Sequence, residues 1–244
     1  MEDFFRQLAA EAPRWNFIFF YDERSWNRIV EGLYYTLILS VACVILSVVI
    51  GVVGAWAQGS PSRLLRNIVQ GYIQFFRNTP PFVQLLFFYF ALGQFTPTYS
   101  PDGWLQVPII SNVGWAIISL SFFAGAFNVE IFRAGIEAVP AGQTEAAQSL
   151  GLNRRQTMRL VVLPQAVRVV IPPLGNDFVA MIKDSALVSA LGVQDITQLG
   201  KVYSASTFLF FETYNVVAYL YLVLTISLSL MVRGLEARMK RTRG

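Results

Sequence analysis

The stretch YYTLILSVACVILSVVIGVVGAWA, Tyr34–Ala57, contains no charged residue and is long enough to cross a bilayer. A hydrocarbon core of about 30 Å needs about 20 helical residues at 1.5 Å each. Trp26 and Tyr34 stand near one end, where amphipathic rings settle at the membrane–water boundary. Working outward, Leu64 to Leu92 is a second candidate, interrupted by Arg77 and by Pro80-Pro81. Val113 to Val139 is a third, with Glu130 and Arg133 late in its length. Ala166 to about Leu187 is a fourth, broken by Pro172-Pro173 and holding Asp177, Lys183 and Asp184. Thr213 to Val232 is an uncharged fifth. The expectation is an all-α membrane protein of five transmembrane helices, with spans at about 34–57, 64–92, 113–139, 166–187 and 213–232.

The composition agrees. Of 244 residues, 55% are hydrophobic and 14% charged, with a mean hydropathy of +0.49. Soluble domains carry about a quarter charged residues, so this surface suits lipid. Cys43 is the only cysteine and there is no histidine. That excludes disulfides, cysteine-rich metal sites and histidine general bases. Serine with lysine and paired carboxylates stay formally open as catalysts. No G-x-x-x-x-G-K-[ST] phosphate loop occurs, and no repeat or low-complexity tract is evident.

Five spans put the termini on opposite sides, and basic residues set the orientation. The C-terminal side would hold Arg63, Arg66, Arg154, Arg155, Arg159, Arg168, Arg233, Arg238, Lys240, Arg241 and Arg243. The other side would hold Arg6, Arg14, Arg24, Arg28 and Lys201. Eleven against five makes the C-terminus cytoplasmic. It also explains the pI of about 9.3 without a nucleic-acid patch. Residues 1–25 are polar and mixed in charge, unlike a cleavable signal, and read as an extracytoplasmic segment. Residues 26–233 read as one membrane domain with a cytoplasmic loop over 141–164, and 234–244 as a basic cytoplasmic tail.

That loop lies within AVPAGQTEAAQSLGLNRRQTMRLVVLPQA, residues 138–166. Glu145 to Leu150 is good helix material. Gly151 is placed to end the helix in the left-handed conformation. Asn153 with Gln156 reads as a capping box opening a second helix that leads into the membrane before Pro164. A helix, a tight turn and a second helix on one membrane face read as a docking surface.

Here the chain resembles the binding-protein-dependent ABC importer permeases, in their polar amino acid branch. Glu145-Ala146-Ala147, then Gly151, then Leu163-Pro164 resembles the family's EAA loop. EIFRAGIEAVPAGQTEAAQSLGL (130–152), FFRNTPPFVQLLFFYF (75–90) and GNDFVAMIKDSALVSALGV (175–193) look like blocks of that branch. The resemblance runs from about Trp26 to the tail. It implies a type I importer permease with no cofactor and no catalytic site of its own, in a bacterial inner membrane. The implied partners are ATP-binding subunits, a second permease subunit (identical or paralogous) and an extracytoplasmic solute-binding protein, and the cargo an amino acid. Carried over by position, Glu145, Ala146, Ala147 and Gly151 would contact the ATPase, with Leu150 as an apolar anchor. The assembled complex, not this subunit, would hydrolyse ATP. The rival readings are a channel or carrier acting alone, and a membrane scaffold or intramembrane enzyme.

Charges at membrane depth are functional hypotheses by default. By helical rise, Asp177 lies about 15 Å into the fourth span, Lys183 and Asp184 about 24 Å, and Arg77 about 20 Å into the second. Glu130 falls nearer the inner surface. Arg77 and Asp177 share a depth on two helices interrupted by proline pairs, where transporters build solute sites. For an amino acid, Asp177 or Asp184 would meet the ammonium and Arg77 or Lys183 the carboxylate. Asn176, Thr79 and Ser185 would add neutral hydrogen bonds. The alternative is that these charges pair only with one another. Glu130 and Arg133, three apart, read as a local ion pair, and the aromatic run Phe87–Phe90 as facing lipid or neighbouring helices.

Overall fold

The computed structural model describes residue 7 and residues 22–101 and 103–241. The reading of residues 1–25 as an extracytoplasmic segment therefore falls mostly outside the described residues. Among those described, four helices are long and apolar enough to cross a membrane, and a shorter apolar helix accompanies them. Helix α1 spans Glu23–Gln58, α2 Arg63–Asn78 and α3 Pro81–Leu86. Helix α4 spans Asn112–Glu137, α5 Ala141–Ser149 and α6 Arg154–Thr157. Helix α7 spans Leu163–Asp184, α8 Ile196–Thr207 and α9 Phe210–Arg241. The residues expected to form a separate tail from 234 continue α9 as far as Arg241.

Helix α1 shows how a lipid-facing helix is written. Thr36, Ser40, Cys43 and Ser47, spaced four, three and four apart, are fully buried. Ile38, Val41, Ile45, Val49, Val52 and Trp56 are exposed. The polar and small residues face protein and the large apolar ones face outward, the reverse of a water-soluble helix.

The second expected span is two helices. Thr79 is extended (φ −113°, ψ 140°), as a residue before proline tends to be. Pro81 then opens α3 at the one helical position where a missing N–H costs nothing. A π-helical segment, Phe87–Leu92, and a 3₁₀ turn, Gly93–Phe95, extend α3. Phe87 and Phe90 are exposed, while the Phe88 ring packs edge-on against Trp115 at 6.3 Å. Strands β1 (Thr98–Tyr99) and β2 (Val107–Pro108) pair antiparallel, Thr98 opposite Pro108.

Pro172 and Pro173 do not break the fourth span, contrary to the sequence expectation; α7 runs through both. Proline's fixed φ is helical, so the cost is confined to two absent N–H donors and the crowding of the preceding turn. The irregularities sit at the ends instead, in a π-helical turn at Met158–Val162 and a 3₁₀ segment at Ser185–Leu191.

The chain forms two compact units. One gathers Met1–Ala42, Phe82–Ser119 and Met181–Ile226; the other gathers Cys43–Pro81, Leu120–Ala180 and Ser227–Gly244. In the first, Asp195 caps α8: its carboxylate is fully buried and accepts from the backbone N–H groups of Thr197 (3.1 Å) and Gln198 (2.9 Å). Tyr221 Oη donates to it at 3.0 Å. Burial raises the carboxyl pKa above its ordinary value although these bonds pull the other way. Tyr203 and Val216 pack with Ile29 and Leu220 nearby.

In the second unit, Ala55, Ala57, Val69, Ile73 and Val129 form a core with Leu65, Tyr72 and Phe132 around it. Close helix approach is built on glycine here. A Cβ at Gly51 would sit 2.5 Å from Asn128 Cβ, and one at Gly54 2.3 Å from Val129 Cγ2. Asn128 reaches across to Ser47 Oγ at 3.0 Å. Such backbone approach is the main source of cohesion where lipid removes the hydrophobic drive. Gly54→Ala should therefore lower the melting temperature of the detergent-solubilised protein, through an overpacking cost of about 1–3 kcal/mol. Adding Val129→Ala should restore most of the loss. An unchanged melting temperature in the single variant would show that the contact is soft.

Candidate functional site

Two features of the second unit bear on function. The first is the elbow formed by α5 and α6. Helix α5 ends in a Schellman-type closure: Leu152 N–H donates to Ala147 O (3.2 Å), Gly151 N–H to Gln148 O (2.9 Å) and Leu150 N–H to Ala146 O (3.1 Å). Gly151 has φ +85°, the left-handed conformation that a Cβ disfavours. Two residues on, Asn153 and Gln156 form the expected capping box. Gln156 N–H donates to Asn153 Oδ1 at 3.0 Å, and Asn153 N–H to Gln156 Oε1 at 2.9 Å. The turn is thus fixed from both sides, and α5 packs back against α6 and the π-helical turn.

This closure sorts the candidate contact residues. Leu150, 84% exposed, stands out as a bare apolar side chain on a polar elbow, and Glu145 and Ala146 are exposed beside it. Ala147 is not available: it is 5% exposed and faces into the elbow. The sequence reading placed it on the contact surface; here it is buried, and its small size suits the close packing of the elbow.

The second feature is a cleft of about 450 Å³ lined by Phe127, Glu130, Ile131 and Ala134 of α4 and by Pro173, Asn176, Asp177 and Ala180 of α7. Arg77 of α2 hydrogen-bonds to Glu130 across the helix pair, and its guanidinium carbon lies 5.2 Å from the centre of the Phe127 ring. Arg77 and Glu130 are each roughly two-fifths exposed, so the pair is not sealed within this chain. Asn176 is exposed and Asp177 partly so. The cleft thus presents two carboxylates, an amide and, through Glu130, a guanidinium.

Three expectations change. Glu130 does not pair with Arg133. Arg133 Nε bonds Glu137 at 2.7 Å and its Nη1 reaches Gln58 at 3.3 Å, while Glu130 takes Arg77. A spacing of four suits a helical ion pair as well as three does, and the sequence offered Arg133 both. Thr79 and Ser185 are turned to backbone: Thr79 Oγ1 donates to Phe75 O, and Ser185 Oγ, fully buried, to Ile182 O at 2.7 Å. Lys183, Asp184 and Ser185 belong to the other unit. Of the sequence candidates, Arg77, Asn176 and Asp177 come together here; Glu130, demoted by the sequence reading, joins them. Its recoverable signal was position, since a carboxylate within an apolar span needs a partner wherever one is in reach.

A family model described as "Binding-protein-dependent transport system inner membrane component" matches residues 47–241. A probable amino-acid permease protein of Bacillus subtilis, YxeN, is 35% identical over 87% of this chain and 92% of its own length. The glutamine transport system permease protein GlnP of Escherichia coli is 34% identical over 87% and 93%. A crystal structure of an amino acid ABC transporter with histidines has a chain of TM-score 0.79 and 34% identity, covering 88% of this chain and 95% of its own. The inward-facing MetNI methionine ABC transporter, at 19% identity and TM-score 0.70, shares the fold.

Proposed function

This chain belongs to the binding-protein-dependent transport system inner membrane components, among the polar amino acid ABC importer permeases, and on that footing we propose that it forms half of the translocation pore of an ATP-driven amino acid importer. It is a multi-pass inner-membrane permease subunit with the type I importer fold. In the proposed assembly a second permease subunit, identical or paralogous, completes the pore. Two ATP-binding subunits drive it, and an extracytoplasmic protein delivers the amino acid. In this reading the elbow lies on the cytoplasmic side together with the C-terminus, which the excess of basic residues there supports.

One observation carries this reading. A short helix whose closing turn is fixed from both sides by hydrogen bonds displays Leu150, with Glu145 and Ala146 exposed beside it. A rigid elbow transmits displacement; a loose loop absorbs it. When the ATP-binding subunits close, the elbow would be carried with them, and α7, which continues from α6 through the π-helical turn, would move as its lever. In the cleft, the amino acid's ammonium would meet Asp177 or Glu130. Its carboxylate would meet Arg77 by exchange with Glu130, with Asn176 as a neutral partner. Such a site binds weakly because Arg77 already has a carboxylate, which suits a solute that must leave.

Leu150→Asp tests the docking. An exposed anchor at an interface centre contributes about 2 kcal/mol or more, or about thirtyfold in association. The variant should insert normally yet recover little ATP-binding subunit on purification and lose most uptake. Full recovery of the ATP-binding subunit with Leu150→Asp would remove Leu150 from the interface.

A further inference from the structure

Helix α2 carries three faces rather than two. Val69, Ile73 and Phe76 are buried in the second unit. Ile68 and Phe75 are exposed and apolar, at 59% and 52%. The third face is a ladder of amides: Asn67, Gln70, Gln74 and Asn78, all exposed. At 100° per residue these four fall within an arc of about 80°, and they climb about 16 Å along the axis. Exposed amides in consecutive turns are out of place against hydrocarbon, where neither donor nor acceptor finds a partner. The apolar pair at Ile68 and Phe75 already gives α2 a lipid face about a third of a turn away.

The ladder has something at each end. Asn67 and Gln70 line a second cleft, of about 430 Å³, with Gln58, Arg66, Arg133 and Glu137. There Gln58 Nε2 donates to Gln70 Oε1 at 3.2 Å, and Arg133 donates to Gln58. This cleft adjoins the end of α4 that leads into the elbow. At the other end, Asn78 Nδ2 donates to Gln74 Oε1 at 3.0 Å, and Arg77, next in sequence, holds Glu130 at the rim of the charged cleft.

We infer that the Asn67–Asn78 amide ladder lines a water-filled exit path, along which the solute passes from the Arg77–Glu130 cleft to the polar cleft at the elbow end. This rests on the permease reading above and adds the route and its chemistry. An amide both donates and accepts and carries no charge. A ladder of them replaces the hydration of a zwitterion at each step without an ionic trap. The route therefore favours polar zwitterions and offers nothing to a solute with a large apolar side chain.

Cysteine scanning decides this, because the one native thiol, Cys43, is fully buried and Cys43→Ala gives a silent parent. Single variants Asn67→Cys, Gln70→Cys and Gln74→Cys, with Ile68→Cys and Phe75→Cys for comparison, are made in the assembled transporter. They are treated in membrane vesicles of both orientations with a charged, membrane-impermeant methanethiosulfonate. A thiol in water ionises and one in lipid stays protonated, so the three ladder positions should react about tenfold or more faster than Ile68→Cys and Phe75→Cys. Excess amino acid inside the vesicles should slow them. Equal rates on the two faces would overturn the inference. Uptake by the Cys43→Ala parent is read in the same vesicles. Loss of uptake by the unsubstituted transporter speaks against the permease assignment, whereas failed labelling beside normal uptake speaks against the ladder alone.

Discussion

Gly151→Pro should abolish uptake while leaving membrane insertion and the helical content of the spans unchanged. Proline fixes φ near −65°, whereas this position holds +85°, and it deletes the N–H that bonds Gln148 O at 2.9 Å. Both supports on the α5 side of the turn fail together. The residue series separates conformation from size, because a Cβ built at Gly151 meets nothing within 4 Å. Gly151→Ala therefore carries only the left-handed penalty of about 1–2 kcal/mol and should reduce uptake partially. Gly151→Asn, the residue type that best tolerates this conformation, should stay nearest the parent. The rates should rank glycine, asparagine, alanine, proline. Equal transport by all four would mean that the turn's geometry does not couple to the pore.

The second large effect is expected at Arg77. Arg77→Leu leaves Glu130 without its guanidinium inside the spans, where a charge at a helix centre costs about 2.5–3.5 kcal/mol on insertion scales. Partial exposure of the pair lowers that figure, so the chain should still insert, and the loss should fall mainly on transport. Uptake should drop by at least about tenfold, the equivalent of 1.4 kcal/mol in the transition state. The exchange Arg77→Glu with Glu130→Arg separates two roles. Restored melting temperature with transport still lost would mean that the pair's polarity matters to the solute. Recovery of both would make the pair a brace between α2 and α4. Normal uptake by Arg77→Leu would remove the charged cleft from the path.

Much of this was legible in the chain before its structure. Span number follows from apolar length, which bilayer thickness sets almost alone. The elbow was readable down to single residues, because Gly151 and the Asn153–Gln156 box are local devices whose bonds form within a few positions. What stayed hidden depends on neighbours distant in sequence. Arg133 had Glu130 and Glu137 both in helical reach, and only the arrival of Arg77 from α2 decided which carboxylate it kept. Ala147 looked like a contact residue because smallness serves an interface and a tight turn equally. The two proline pairs read alike but behave differently. Pro81 starts a helix, whereas Pro172 and Pro173 ride inside one whose neighbouring turns keep it intact. The amide ladder on α2 was not read from the sequence; the exposure of Asn67, Gln70, Gln74 and Asn78 brought it out.

Site-specific photo-crosslinking from position 150 tests the central claim most directly. With a benzophenone side chain replacing Leu150 in the complete transporter, irradiation should join this chain to the ATP-binding subunit, and the yield should change when ATP is trapped at the catalytic sites. Crosslinks confined to lipid or to this chain itself, in a transporter that still couples ATP hydrolysis to uptake, would contradict the account.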